Sequence, residues 1–449
     1  MASDSDQRRP DDGKIALVLG GGAPTLTLMA GALLALDEEG VEFDLVSTSG
    51  AGMLVGLLYA APKAGDRRAA LKATVDLGVH DDIYRQFPIN YKVFYKPGPL
   101  AEMWYRAWMP WLEAMPHETS EQRLWRDLAH FWVATMSPSA MTRDSLGMCA
   151  PAPWLEQVVD FNRLPAFRPE FFINAYNIRE RRMRVFDKQK ITAAHFRAAL
   201  AFPLIYPPFE LEGDWYIEGS AMDTLNLQGV VKYDDRYDDA YARFLRAEFV
   251  NRWEEIKRYN GYKDLLARNA AMDKLVKEAK QAAHRAALKA RLDLEPAREK
   301  LNRAREAAAS KQDEELRSIK EINAALNRQR KAAKQINAIS RVVVFDVLGT
   351  DRLVRKPRNL YDAWVLQMIV PLVSISNENI RAFEHEFDYD ADDPRKVLHR
   401  LAFDAQISHE DWPNVLDWSY SNLKTLFDAG YRSGKQFYKD HDWLQRPRS

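Results

Sequence analysis

An apolar run, Ile15–Ala16–Leu17–Val18–Leu19, ends directly in Gly20–Gly21–Gly22. An alanine- and leucine-rich segment, Leu26 to Leu36, separates it from a second short run, Phe43–Asp44–Leu45–Val46, which ends in the small residues Ser47–Thr48–Ser49–Gly50–Ala51–Gly52. Runs that are apolar at every position suit strands covered on both faces, as in a parallel sheet whose crossover is a helix. Residues 14–80 are therefore expected to form strand, helix, strand, helix.

Two turns in this unit have the composition that acyl transfer needs. Glycines after the first strand leave backbone N–H groups bare, which makes Gly21 and Gly22 candidate oxyanion donors. One such donor is typically worth about 3 kcal/mol in the transition state. The second turn has the form of a nucleophile elbow, in which a serine sits between strand and helix and only small residues fit two places to either side. Ser49, flanked at those places by Ser47 and Ala51, meets that condition, with Gly50 and Gly52 completing the turn. The plainer readings are a serine that caps a helix and a glycine turn that binds a nucleotide. The nucleotide reading lacks a following Gly-Lys-Ser/Thr and the full dinucleotide spacing, and Thr25–Leu26 would crowd a pyrophosphate.

With these residues the chain resembles the patatin-like acyl hydrolases. The resemblance runs without a gap from Ile15 to about Ala60. It resumes at Phe196–Arg197–Ala198–Ala199–Leu200–Ala201–Phe202–Pro203–Leu204–Ile205–Tyr206–Pro207–Pro208 and at Trp215–Tyr216–Ile217–Glu218–Gly219–Ser220, with Asn226 beyond. It implies a three-layer α/β fold with a central, mostly parallel sheet, hydrolysis of an acyl ester by a serine–carboxylate dyad, and no cofactor. Three places depart from the family pattern. The glycines of its first loop fall on Gly21, Ala23 and Leu26, its nucleophile on Gly50, and its catalytic aspartate on Glu218. Two readings follow. In one, the elbow is shifted by a residue, so that Ser49 is the nucleophile, rather than Ser47 or Ser220, and Glu218, one methylene longer than aspartate, is its base. In the other, the fold persists without hydrolysis, Gly50 closes a turn, and the protein is a scaffold.

Composition narrows the remaining classes. Lys plus Arg and Asp plus Glu both number 64, so overall charge gives no reason to expect a nucleic-acid partner. A single cysteine, Cys149, rules out an internal disulfide framework and suits a reducing compartment, and the 9 histidines show no paired metal spacing. Residues 1–13 read as a disordered leader without the apolar segment of a signal peptide, and no run of apolar residues is long enough to span a bilayer. The expectation is a cytoplasmic protein, with peripheral membrane contact as an extension.

Beyond the first unit, the core is expected to occupy 14–230, with residues 81–165 forming an aromatic-rich helical cap interrupted by Pro88, Pro97, Pro99, Pro110 and Pro138. Residues 234–340 are rich in Ala, Lys, Arg and Glu and carry helix-period apolar positions such as Leu265, Met272, Leu275 and Val276. A helical-hairpin insertion is expected there, solvated and coiled-coil-like, driving homo-oligomerisation. Residues 341–449 are expected to complete the core, starting with the strand Arg341–Gly349 and a helix Tyr361–Val370 ended by Pro371, with further helices from Trp412 to Trp443. The expected partner is a lipid or other acyl-ester substrate.

Overall fold

The computed structural model describes residues 14–23, 25–151, 155–230, 233, 339–347, 360–386, 397–401, 403 and 417–444. The chain divides into two units, one of Met1–Gly229, Arg341–Ala382 and Val397–Ser449, the other of Val230–Ser340 and Phe383–Lys396. The expected leader, residues 1–13, and residues 234–338 of the expected hairpin insertion lie outside the described residues.

The strands are β1 (Lys14–Leu19), β2 (Leu45–Thr48), β3 (Glu170–Asn177), β4 (Arg182–Asp187), β5 (Phe209–Leu211), β6 (Asp214–Glu218), β7 (Ile339–Phe345) and β8 (Val397–Arg400). They form one 8-stranded mixed sheet in the order β5-β6-β3-β2-β1-β7-β8, with β4 also on β3. The middle is parallel, β1 on β2 and β2 on β3, and the β4, β5 and β6 side is antiparallel. Ala16 to Leu19 and all of β2 are buried, as their unbroken apolar or small composition requires.

Helix α1 (Leu26–Glu38) is buried along nearly its whole length, from Leu26 to Asp37. A helix that is apolar all round needs cover on both sides. One side is met by the helix Tyr420–Asp440, and the two backbones touch. A Cβ on Gly31 would collide with the Phe427 carbonyl and lie 2.8 Å from the Tyr431 nitrogen. Tyr431 also donates to Glu38, and Lys435 pairs with Glu39 at 2.7 Å. The C-terminal helix thus packs on α1.

The remaining helices of the first half are α2 (Ala51–Ala60), α3 (Arg67–Lys72), α4 (Asp81–Gln86), α5 (Pro99–Ala114), α6 (Ser120–Met136), α7 (Leu155–Val158) and α8 (Ala193–Ala199). Two prolines expected to break helices do not. Pro110 lies inside α5, and Pro371 inside the helix Leu360–Glu386. Tertiary anchoring just beyond each proline offsets the lost backbone bond. Leu112 is fully buried after Pro110, while Val373, Ser376 and Ile380 are buried after Pro371, with Ser376 donating to Asp346 at 2.6 Å. Within residues 81–165, Tyr95, Tyr105, Leu112 and Val133 form a small core of their own. Trp108, Trp111, Trp125 and Trp132 are exposed.

Candidate active site

The site is made where two strands end on the same edge of β3. β4 covers one edge of β3 from Phe172 to Asn177, so both β2 and β6 must take the other. β2 pairs with Glu170 to Ile173 and stops at Thr48; β6 comes from the opposite direction, pairs with Asn177 to Ala175, and stops at Glu218. The two ends face each other along that edge, and both chains turn out of the sheet there. The turn after β2 is Ser49–Gly50, leading into α2, and the turn after β6 is Gly219–Ser220.

Gly50 has φ 50° and ψ −128°, a backbone geometry that side chains adopt only under strain and that a strand-to-helix nucleophile elbow uses. The elbow is therefore formed, but the residue at its apex has no side chain. A Cβ placed on Gly50 would collide with Glu218 Oε1 and lie 2.6 Å from Ser220 Oγ and 2.9 Å from Ser220 Cβ. A Cβ on Gly21 would come within 2.8 Å of the same Ser220 Cβ. The Ser220 side chain thus occupies the space between the two glycine turns, and both glycines are required for it to fit.

Ser220 donates its hydroxyl proton to Glu218 Oε1. Glu218 is only 6% exposed and Ser220 3%. Desolvation pushes the Glu218 carboxyl up from 4.5 to about 7, and the Ser220 hydroxyl bond acts against that shift by favouring the ionised form. A carboxyl held there can both accept and return a proton at neutral pH. Met222, two residues beyond Ser220, is 48% exposed.

The other expected residues reach the same place with different partners. Ser49 is fully buried and donates to the Asp223 carbonyl at 2.7 Å, so its hydroxyl proton is not directed at Glu218. Ser47 donates to the Asn226 carbonyl at 2.6 Å, and Asn226 returns a bond from Nδ2 to the Thr48 carbonyl at 3.0 Å. The Gly52 position has Gly20 and Leu19 carbonyl oxygens against it, which is why α2 begins with small residues. Gly21 gives its N–H to the Thr224 carbonyl at 2.7 Å, so it does not offer a free oxyanion donor, contrary to expectation. The reason is the close approach of the Asp223–Thr224 turn. Among the described residues, the N–H groups of Gly22, Gly50 and Ala51 have no hydrogen-bond partner, and the last two belong to the N-terminus of α2, where the helix dipole favours negative charge.

Asp223 is the residue that sequence reasoning missed. Its carbonyl accepts from Ser49 and from Asn174 Nδ2 at 3.1 Å, and its carboxylate accepts from the Leu225 and Asn226 N–H groups and from Asn379 Nδ2. An aspartate bonding the N–H groups two and three residues ahead is a local turn signal, and Asp223–Thr224–Leu225–Asn226 carries it in plain view. Ser220 also carries a signal, because it stands where the family pattern has glycine or alanine. Among the described residues no group of His, Cys, Asp or Glu is arranged to hold a metal ion. No described helix is long and apolar enough to cross a membrane.

Residues 17–231 match the family described as patatin-like phospholipase. No curated protein sequence matches the chain significantly. The crystal structure of VipD from Legionella pneumophila is similar at 13% identity, with 46% of this chain and 46% of that chain covered and a TM-score of 0.25, a likeness on which no functional statement rests. The strands β2 to β6, the elbow turn and the acidic strand end lie within the matched stretch, and residues 17–231 have the α/β fold of the patatin-like family that they match.

Proposed function

We propose that the protein hydrolyses an acyl ester of a lipid or similar substrate, with Glu218 as the proton-transferring base. The observation that carries this reading is the Glu218 carboxyl, buried, shifted to about 7 and aimed at the apex of a formed nucleophile elbow. A buried carboxyl without a charged partner destabilises a fold, and such groups concentrate at functional sites. Next to it, the free N–H groups of Gly50 and Ala51 at the start of α2 supply donors for a developing oxyanion.

The competing reading is a domain that keeps the fold and has lost hydrolysis. What favours it is the burial of Glu218 and Ser220 and the engagement of both the Gly21 N–H and the Ser49 hydroxyl. Steady-state hydrolysis of p-nitrophenyl esters of several chain lengths separates the two. The hydrolase reading expects turnover by the wild type and loss of about a thousandfold in kcat/KM for Glu218→Gln, within the usual range for a general base. A wild type with no turnover, or one that Glu218→Gln leaves unchanged, contradicts it.

A further inference from the structure

We propose that the nucleophile of this site is Ser220, supplied from the end of β6 instead of from the elbow, so that nucleophile and base lie two residues apart on one strand end. The inference rests on the hydrolase reading above and assigns the residue that forms the covalent bond.

The geometry makes the three departures from the family pattern one arrangement. Gly50 leaves the elbow apex empty, and Ser220 Oγ lies 2.6 Å from where a Cβ on that apex would be. A serine at 50 and a serine at 220 cannot both be accommodated, because Cβ and Oγ would overlap. The hydroxyl at this point therefore has one source, and it is Ser220. The same hydroxyl is the one that donates to Glu218. Ser49 is excluded from that role by its own bond to the Asp223 carbonyl, and Ser47 by its bond to the Asn226 carbonyl. The glutamate also fits this placement. Its hydroxyl partner lies on its own strand end, across Gly219, and the longer side chain folds back to meet it.

The position also suits the charge that develops. Ser220 lies between the Gly20–Gly22 turn and the N-terminus of α2, the two sources of unpaired N–H groups. In the first step Ser220 Oγ forms a bond to the ester carbonyl carbon while Glu218 takes the hydroxyl proton. The carbon–oxygen bond to the alcohol then breaks, and Glu218 returns that proton to the departing alkoxide. Water next attacks the acyl carbon and gives a proton to Glu218, the Ser220–acyl bond breaks, and Ser220 regains its proton as the carboxylic acid leaves.

The test is covalent labelling of the wild-type protein with a fluorophosphonate, followed by peptide mass spectrometry. The expected result is an adduct on Ser220, retained in Ser49→Ala and lost in Ser220→Ala. An adduct on Ser49 or Ser47 overturns the proposal and leaves the hydrolase reading standing, as does ester turnover that requires Glu218 and survives Ser220→Ala. A wild type that neither labels nor turns over esters overturns both. Thermal unfolding of Ser220→Ala accompanies the labelling, so that a lost adduct is read only from folded protein, and the wild-type adduct decides the matter in any case.

Discussion

The ends of β2 and β6 perform the same manoeuvre with opposite side chains. Each strand stops on the same edge of β3 and turns out of the sheet through a glycine and a small residue. At the end of β2 the backbone adopts the strained elbow but the apex is bare. At the end of β6 the backbone makes an ordinary short turn but carries both a hydroxyl and a carboxyl. The difference teaches that the two strand ends share one volume, which the β2 end leaves open at Gly50 and the β6 end fills with Ser220.

The largest effect that bears on this comparison is removal of the base. Glu218→Gln keeps the shape and the acceptor for Ser220 but not the proton transfer, and ester turnover should fall about a thousandfold. If turnover falls equally little at both strand ends, for Glu218→Gln and for variants of the β2 turn, the contrast between them has no functional content.

Restoring a side chain to the bare apex comes next. Gly50→Ala adds a Cβ at positive φ into contact with Glu218 and Ser220, and should cost about 3 kcal/mol in urea unfolding. Combining it with Ser220→Gly removes one of the colliding groups, so the two changes should be non-additive by at least about 1 kcal/mol. Additive costs would mean that the two strand ends do not share one volume.

The buried carboxyl gives a pH-dependent effect of similar size. The folded protein holds its Glu218 proton up to about pH 7, whereas the ordinary value is 4.5. The stability from that tighter proton binding is full below about pH 4.5 and is lost as pH rises through about 7. At pH 8 Glu218→Gln should therefore be more stable relative to wild type than at pH 4 by about 3 kcal/mol. Chemical denaturation at the two pH values checks this, and a difference that does not change with pH would show that Glu218 is not a desolvated acid.

The smallest effect belongs to the hydroxyl that points away. Ser49→Ala deletes a bond to the Asp223 carbonyl, and the carbonyl keeps its second partner, Asn174. The cost should be about 1 kcal/mol in denaturant unfolding. A cost several times larger would indicate that Ser49 anchors the whole Asp223 turn.

Much of the core is legible in the sequence. Ile15–Leu19 and Leu45–Val46 are apolar at successive positions, which only a doubly covered strand explains, and the small residues around position 50 mark the turn into α2. Glu218 was also legible, as the acid at a strand end. The partner of Glu218 was not, because it depends on where β6 stops along β3 relative to β2, a register that no local pattern encodes. The fate of the Gly21 N–H depends likewise on how closely the Thr224 turn approaches. Pro110 and Pro371 were misread for a related reason: local propensity favours a break, and buried residues beyond each proline hold the helix together. The packing of Tyr420–Asp440 on α1 also depends on a contact between distant glycines and backbone that the chain order hides.

The most direct test of the central claim is to move the hydroxyl from one strand end to the other. Gly50→Ser combined with Ser220→Gly restores a serine at the elbow apex and empties the space that Ser220 occupies. Fluorophosphonate labelling of this double variant should place the adduct on residue 50, with ester turnover above that of Ser220→Gly alone, which should be unlabelled at the site. A single Ser220→Gly variant that still labels at Ser49, or a double variant that folds and labels nowhere while wild type labels on Ser49, would contradict the account.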